Sequence, residues 1–127
     1  MGFRHGPKSV LDAETLTVVY CSSDPYTRRY DLDIVREVRA GQPPDPVVAI
    51  TADGGDAPGD VPGEGPVWPV PGLAGAGDVA FGMVAVVAAQ LIALQQSLAA
   101  GLTPDNPFPS GNVNRVVQGV TIHPLDA

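Results

Sequence analysis

At 127 residues the chain has room for one small domain, and an apolar share of 44% suits a packed core rather than disorder. Its formal charge of −7 excludes nucleic acid as a main partner, because phosphate backbones recruit basic surfaces. Cys21 is the only cysteine, which excludes an intrachain disulfide, and the N-terminus lacks an apolar signal core, so the composition points to a reducing cytoplasm.

In chain order, Gly6-Pro7 predicts a helix entry with proline at the first helical position, and the helix runs to about Asp12. Leu16–Cys21 is a compact β-branched run and predicts a buried strand. Ser22, Ser23 and Asp24 form a loop in which Asp24, ahead of Pro25, caps the next helix. Tyr30, Ile34, Val35 and Val38 then recur at helical spacing until Gly41. Pro46–Thr51 is the second strand, and strand, helix, strand implies a parallel crossover. Ala52 to Glu64, rich in Gly, Pro and Asp, predicts a mobile surface loop. Val67–Val70 is a third short strand, placed at a sheet edge by Pro69. Asp78 opens a long helix that Gly101 ends, and the rest is a tail punctuated by Pro and Gly.

From Val79 to Leu102 there is no charge. Gln90, Gln95, Gln96, Ser97 and Gly82 interrupt the stretch, which favours a helix buried in a core or subunit interface over a membrane span. Three strands are few for a doubly wound sheet, so further strands are expected before residue 1 or from another subunit.

Two polar runs hold the candidate chemistry. In the first, His5 stands directly before the predicted helix start, where the helix dipole disfavours an imidazolium and a neutral imidazole can exchange protons near pH 7. The alternative is a loop histidine that packs or caps. The second run holds Ser110, Asn112, Asn114, Arg115 and Gln118; valines at 113, 116, 117 and 120 would anchor it to a surface while its polar side chains face a pocket. A plain hydrophilic loop is the alternative. Ser22, Ser23 and Asp24 lie at a strand's carboxyl end, where α/β enzymes place ligand contacts, but capping accounts for them equally. Arg28 and Arg29 are expected on a solvated face or paired with Asp31 and Asp33. No Walker loop or G-x-G-x-x-G occurs, and the two histidines have no Cys or carboxylate at ligand spacing, so neither nucleotide, metal nor other cofactor is implied.

Gly2-Phe3-Arg4-His5-Gly6-Pro7-Lys8-Ser9, Asp24-Pro25-Tyr26-Thr27-Arg28, Tyr30-Asp31-Leu32-Asp33, Thr103-Pro104-Asp105, Ser110-Gly111 and Val113–Val120 together resemble the C-terminal part of a sugar-isomerase (SIS) domain. The likeness is to the tagatose-6-phosphate ketose/aldose isomerase group, also described as galactosamine-6-phosphate deaminase/isomerase. It covers nearly the whole chain and is weakest from Ala52 to Gly65. The resemblance implies a partial SIS-type, flavodoxin-like α/β fold: a parallel sheet flanked by helices over residues 1–102, and a tail over the substrate site in residues 103–127. His5 would be the histidine that opens the sugar ring across a subunit interface, taking a proton from the anomeric hydroxyl and returning one to the ring oxygen. Arg4, Ser110, Asn114, Arg115 and Gln118 would touch the substrate. Where glucosamine-6-phosphate synthase carries a tail lysine, Gln118 stands here, which departs from any mechanism needing an ammonium.

The resemblance also places a Ser/Thr-rich phosphate loop and a proton-moving glutamate upstream of the His-Gly-Pro motif, so this chain is expected to be the latter part of a longer, two-domain protein. The expected function is a phosphosugar isomerase or amino-sugar-phosphate deaminase, acting on a sugar phosphate in a cytoplasmic homo-oligomer without nucleic acid or membrane. The alternatives are a non-catalytic sugar-phosphate-binding module and an inactive gene fragment.

Overall fold

A computed structural model describes residues 2–43, 45–52, 60–106, 108–111 and 119–125. The chain divides into two compact units, Met1–Val87 and Ala88–Ala127.

In the first unit, β1 (Thr17–Tyr20), β2 (Val47–Ala52) and β3 (Val67–Val70) form a parallel sheet in the order β1-β2-β3. Thr17 pairs with Val47 and Tyr20 with Ile50, then Ala49 with Val67 and Ala52 with Val70. The central strand is buried from Val47 to Thr51, as an unbroken apolar run in a parallel sheet requires. β1, expected to be buried, is an outer strand and only Thr17 is fully covered. Pro66 turns its carbonyl to Ala49 N, 3.1 Å away, so the two-residue alternation turns residue 69 outward. Pro69 therefore loses no ladder bond, and β3 is the edge its sequence predicts.

The connection from β1 to β2 is α1 (Pro25–Gly41). Asp24 caps it by accepting from Tyr26 N at 3.0 Å and Thr27 N at 2.8 Å, while Pro25 takes a position whose N–H has no helical partner. Its inner face, Leu32 and Val35, meets Cys21, Ala49, Val61, Val19 and Val67 in the core. Val61 belongs to the segment expected to be a mobile surface loop, yet it is 3% exposed; residues 53–59 of that segment lie outside the described residues.

At the end of α1, Arg39 is 8% exposed and pairs with no carboxylate among the described residues. Its Nη1 donates to Pro62 O at 3.0 Å and Gly63 O at 3.2 Å; its Nη2 donates to Val47 O at 3.1 Å and Pro66 O at 2.9 Å. Burial pushes the guanidinium below the ordinary arginine value, and the four carbonyl dipoles replace the water it loses. Gly63 closes over the stem of Arg39 at φ 77°, and a Cβ there would stand 3.3 Å from Arg39 Cδ.

The expected helix from Pro7 to Asp12 is instead a 3-10 turn, Pro7–Val10, which follows another, Gly2–His5. Ser9 directs both its N–H (2.9 Å) and its hydroxyl (2.7 Å) at Gly6 O, closing a three-residue step. Asp12 then accepts from the Thr15 hydroxyl at 2.6 Å and Glu14 N at 3.1 Å, a local turn that stops propagation.

The last element is α2 (Asp78–Ala99). It ends in a Schellman closure: Leu102 N reaches Ser97 O at 2.9 Å, Gly101 N reaches Leu98 O at 3.0 Å, and Gly101 sits at φ 71°. α2 is long and apolar enough to cross a membrane by length and composition, with mean hydropathy 1.8. The expectation that it is buried fails within this chain, since Phe81 and Ala85 are its only buried residues. In the second unit, Asn106 N bonds Thr103 O and Gly111 N bonds Phe108 O, both at 2.9 Å, forming two successive turns.

Arg39→Met is expected to lower unfolding free energy by roughly 3 kcal/mol in urea titration, because four carbonyls, one buried and three part-buried, lose a charged donor at once. Arg39→Lys should recover only part of this, since an ammonium cannot fork to four acceptors. Equal stability of the wild type and Arg39→Met would remove the guanidinium from its structural role.

Candidate functional site

Arg4 and His5 close the first 3-10 turn, where His5 is exposed and Arg4 half-buried. The segment reaches α1 through one acid. Glu37 Oε2 accepts from Arg4 Nε at 2.5 Å, and its Oε1 accepts from Lys8 Nζ. These hydrogen bonds, Lys8's first and Arg4's second, hold the Glu37 carboxyl below the usual glutamate range. One helix side chain thus grips the side chains of Arg4 and Lys8 on either side of His5, and the imidazole makes no side-chain hydrogen bond among the described residues. Arg4, expected at the substrate, spends its Nε on this grip. Glu37 was missed in the sequence. The available signal was Arg4 and Lys8 flanking His5 with no local acid.

A second polar cluster stands at the carboxyl end of β1. Asp78, expected to cap α2, spends both carboxylate oxygens elsewhere: Oδ2 accepts from the Ser22 hydroxyl at 2.6 Å, and Oδ1 from Ser23 N at 2.9 Å and the Ser23 hydroxyl at 3.1 Å. The Ser22 hydroxyl, followed by the Ser23 amide, lowers the Asp78 pKa. Asp31 Oδ2 accepts from Ser22 N at 2.9 Å, and Arg28 Nη1 donates to Ser22 O at 3.2 Å. Arg28 therefore serves the β1 loop, and Asp33 pairs with Arg36 at 2.6 Å rather than with Arg28 or Arg29. Ser22 and Ser23 act as a brace between β1, α1 and α2, with their hydroxyls already engaged.

In the second unit Ser110 lies exposed in the turn closed by Gly111. Asn112, Asn114, Arg115 and Gln118 lie outside the described residues, as does most of the valine run around them. A small depression of about 240 Å³ lies against the end of α2, lined by Ser97, Leu102, Thr103, Asn106 and Pro109 among others. It is smaller than the roughly 300 Å³ at which small-molecule pockets begin. Among the described residues no group of three or more His, Cys, Asp or Glu could hold a metal ion.

The Glu37 grip has a pH signature. Its pKa is depressed on folding, so the stabilisation is full above the ordinary glutamate value of about 4 and is lost as pH falls through the lower folded value. In NMR relaxation, residues 4–8 should hold rigid order parameters at neutral pH and fall below about 0.6 in acid. Glu37→Gln should show the low values at every pH. Unchanged order in Glu37→Gln would show that the segment is held by something else.

No family model matches the chain. The chain is 58% identical over 127 residues to the AgaS protein of Streptomyces coelicolor, an alignment covering 99% of this chain and 32% of that protein. It is 49% identical over 126 residues to the D-galactosamine-6-phosphate deaminase AgaS of Escherichia coli, with the same two coverages. It is 36% identical over 125 residues to the protein of the same name from Shewanella sp. (strain ANA-3), covering 98% of this chain and 28% of that one. The crystal structure of tagatose-6-phosphate ketose/aldose isomerase from Escherichia coli superposes with a TM-score of 0.70 at 42% identity, over 99% of this chain and 30% of that chain. The chain spans about a third of the length of the curated relatives it matches. Sequence and fold together make it a homologue of a segment of the galactosamine-6-phosphate deaminase and tagatose-6-phosphate ketose/aldose isomerase proteins.

Proposed function

We propose that this chain carries the ring-opening histidine and the covering tail of an amino-sugar-phosphate deaminase or sugar-phosphate aldose–ketose isomerase of the SIS type. The observation that carries the reading is the state of His5. It is exposed and makes no side-chain hydrogen bond among the described residues, on a segment gripped from both sides by Glu37, within a stretch up to 58% identical to the AgaS proteins.

An imidazole so placed can take a proton from the anomeric hydroxyl of a cyclic hexose phosphate and deliver one to the ring oxygen, which breaks the C1–O5 bond and exposes the aldehyde. In the deaminase reading, galactosamine 6-phosphate and water give tagatose 6-phosphate and ammonia. In the isomerase reading the aldose and ketose phosphates interconvert. Arg4, held beside His5, would meet an anionic oxygen of the substrate. Ser110, Asn114, Arg115 and Gln118 would close over its hydroxyls, residues 103–127 forming the cover and residues 1–102 the domain beneath. The protein would work as a cytoplasmic homo-oligomer, a setting that agrees with Cys21 as a buried free thiol.

Purified alone, the 127-residue chain is expected to release no ammonia from galactosamine 6-phosphate and to leave tagatose 6-phosphate unchanged. Exchanged for the corresponding third of the 49%-identical Escherichia coli relative, it should support ammonia release, and His5→Ala in that exchange should lower kcat by about 10²- to 10⁴-fold. A folded exchange protein whose rate ignores His5→Ala would reject the role. Turnover by the isolated chain, abolished by His5→Ala, would place every reacting group within these 127 residues.

A further inference from the structure

We infer that Glu37 is a positioning residue for His5: by holding Arg4 and Lys8 on one carboxylate, it fixes how the two 3-10 turns meet at the imidazole. This role deepens the sugar-phosphate reading and rests on it. Gly6 separates Gly2–His5 from Pro7–Val10, and its backbone there is not helical, at φ −156° and ψ −73°. A Cβ on Gly6 would meet nothing within 4 Å. Neither turn buries a residue, so apolar packing within this chain does not set the angle between them. His5 is the last residue before the joint, and a swing of one turn against the other displaces its ring.

The ties that cross the joint are polar and come from α1. Glu37 Oε2 accepts from Arg4 Nε on the first turn, and Oε1 accepts from Lys8 Nζ on the second. One rigid carboxylate carries both bonds, so the two turns cannot part without breaking one. Past the second turn, Gln42 Nε2 donates to Asp12 O at 3.0 Å and adds an attachment on that side only. Glu37 is thus the tie that spans both turns. The side chains of Arg4, Lys8 and Glu37 are 28%, 38% and 34% exposed, so water screens the pairs and the global fold gains little from them. Local order is what they supply, because segments with few buried contacts open below the global unfolding free energy. That order matters for chemistry. A proton-transfer group must stand within hydrogen-bond reach, and a displacement of about 1 Å costs up to about 10²-fold in rate.

The test uses this chain exchanged into the Escherichia coli relative, where the rest of that protein is present. Glu37→Gln should lower kcat for ammonia release about 10- to 100-fold and leave KM within about twofold. Lys8→Met, which removes one arm of the tie, should fall between Glu37→Gln and the unmutated exchange. Asp33→Asn, which breaks an ion pair of the same class within α1, should change neither constant. In a His5→Ala background Glu37→Gln should cost nothing further, because a residue acting through the imidazole has nothing left to place. In the 127-residue chain itself, 13C relaxation should give the His5 ring a lower order parameter in Glu37→Gln, with the β2 amides unchanged. A kcat that ignores Glu37→Gln, an equal loss in the His5→Ala background, a rise in KM alone, or an unchanged ring order would each overturn the inference. If His5→Ala leaves the exchange protein's rate unchanged, the ring-opening role is what fails, and the ring order still decides whether Glu37 places the imidazole.

Discussion

The fold depends on one buried cation. Arg39 brings the end of α1, the start of β2, the Pro62-Gly63 turn and the residue before β3 to a single point, because only a forked donor can serve four carbonyls in three segments. A carboxylate partner would have answered one side of the guanidinium and left the backbone unpaired. The carbonyl solution instead satisfies the chain where three segments turn at once, and a buried charge becomes a joint. Gly63 is part of that joint: its positive φ lets the turn close over the arginine stem without a side chain in the way.

From this joint α1 works outward at both ends. Near its start, Asp31 and Arg28 fix the Ser22 backbone, and Asp24 closes the first turn. Near its end, Glu37 reaches the N-terminal 3-10 segment that carries His5. The same helix therefore sets the position of the sheet's carboxyl end and of the candidate catalytic imidazole. The segment has no α-helix of its own to fix it, and among the described residues the Glu37 carboxylate ties both sides of His5 to α1.

What the sequence revealed follows from range. Asp24-Pro25 announces its helix because cap and capped amides are two and three residues apart. Val47–Ile50 announces a central strand because burial on both faces leaves an unbroken apolar run. Pro69 announces an edge because it cannot donate. Glu37 lies 33 and 29 residues from its partners, and Arg39 bonds to carbonyls, which every residue has and no sequence distinguishes. Both were invisible for that reason. α2 was read as buried because an uncharged apolar helix requires cover; composition states that requirement but not which chain meets it. For the tail, Asn114, Arg115 and Gln118 rest on the motif alone, and Ser110 contributes only an exposed turn.

The sheet also has a direction of growth. On β3 the outward positions are Val67 and Pro69, and Pro69 has no N–H to offer, so that margin is the poorer one for another strand. On β1, Thr17 N and Cys21 N bond Pro46 O and Ile50 O, which turns Val18 and Tyr20 to the opposite margin with amide and carbonyl both available. A strand added from elsewhere would find the fuller set of donors beside Thr17–Tyr20, and pairing there would make β1 an interior strand.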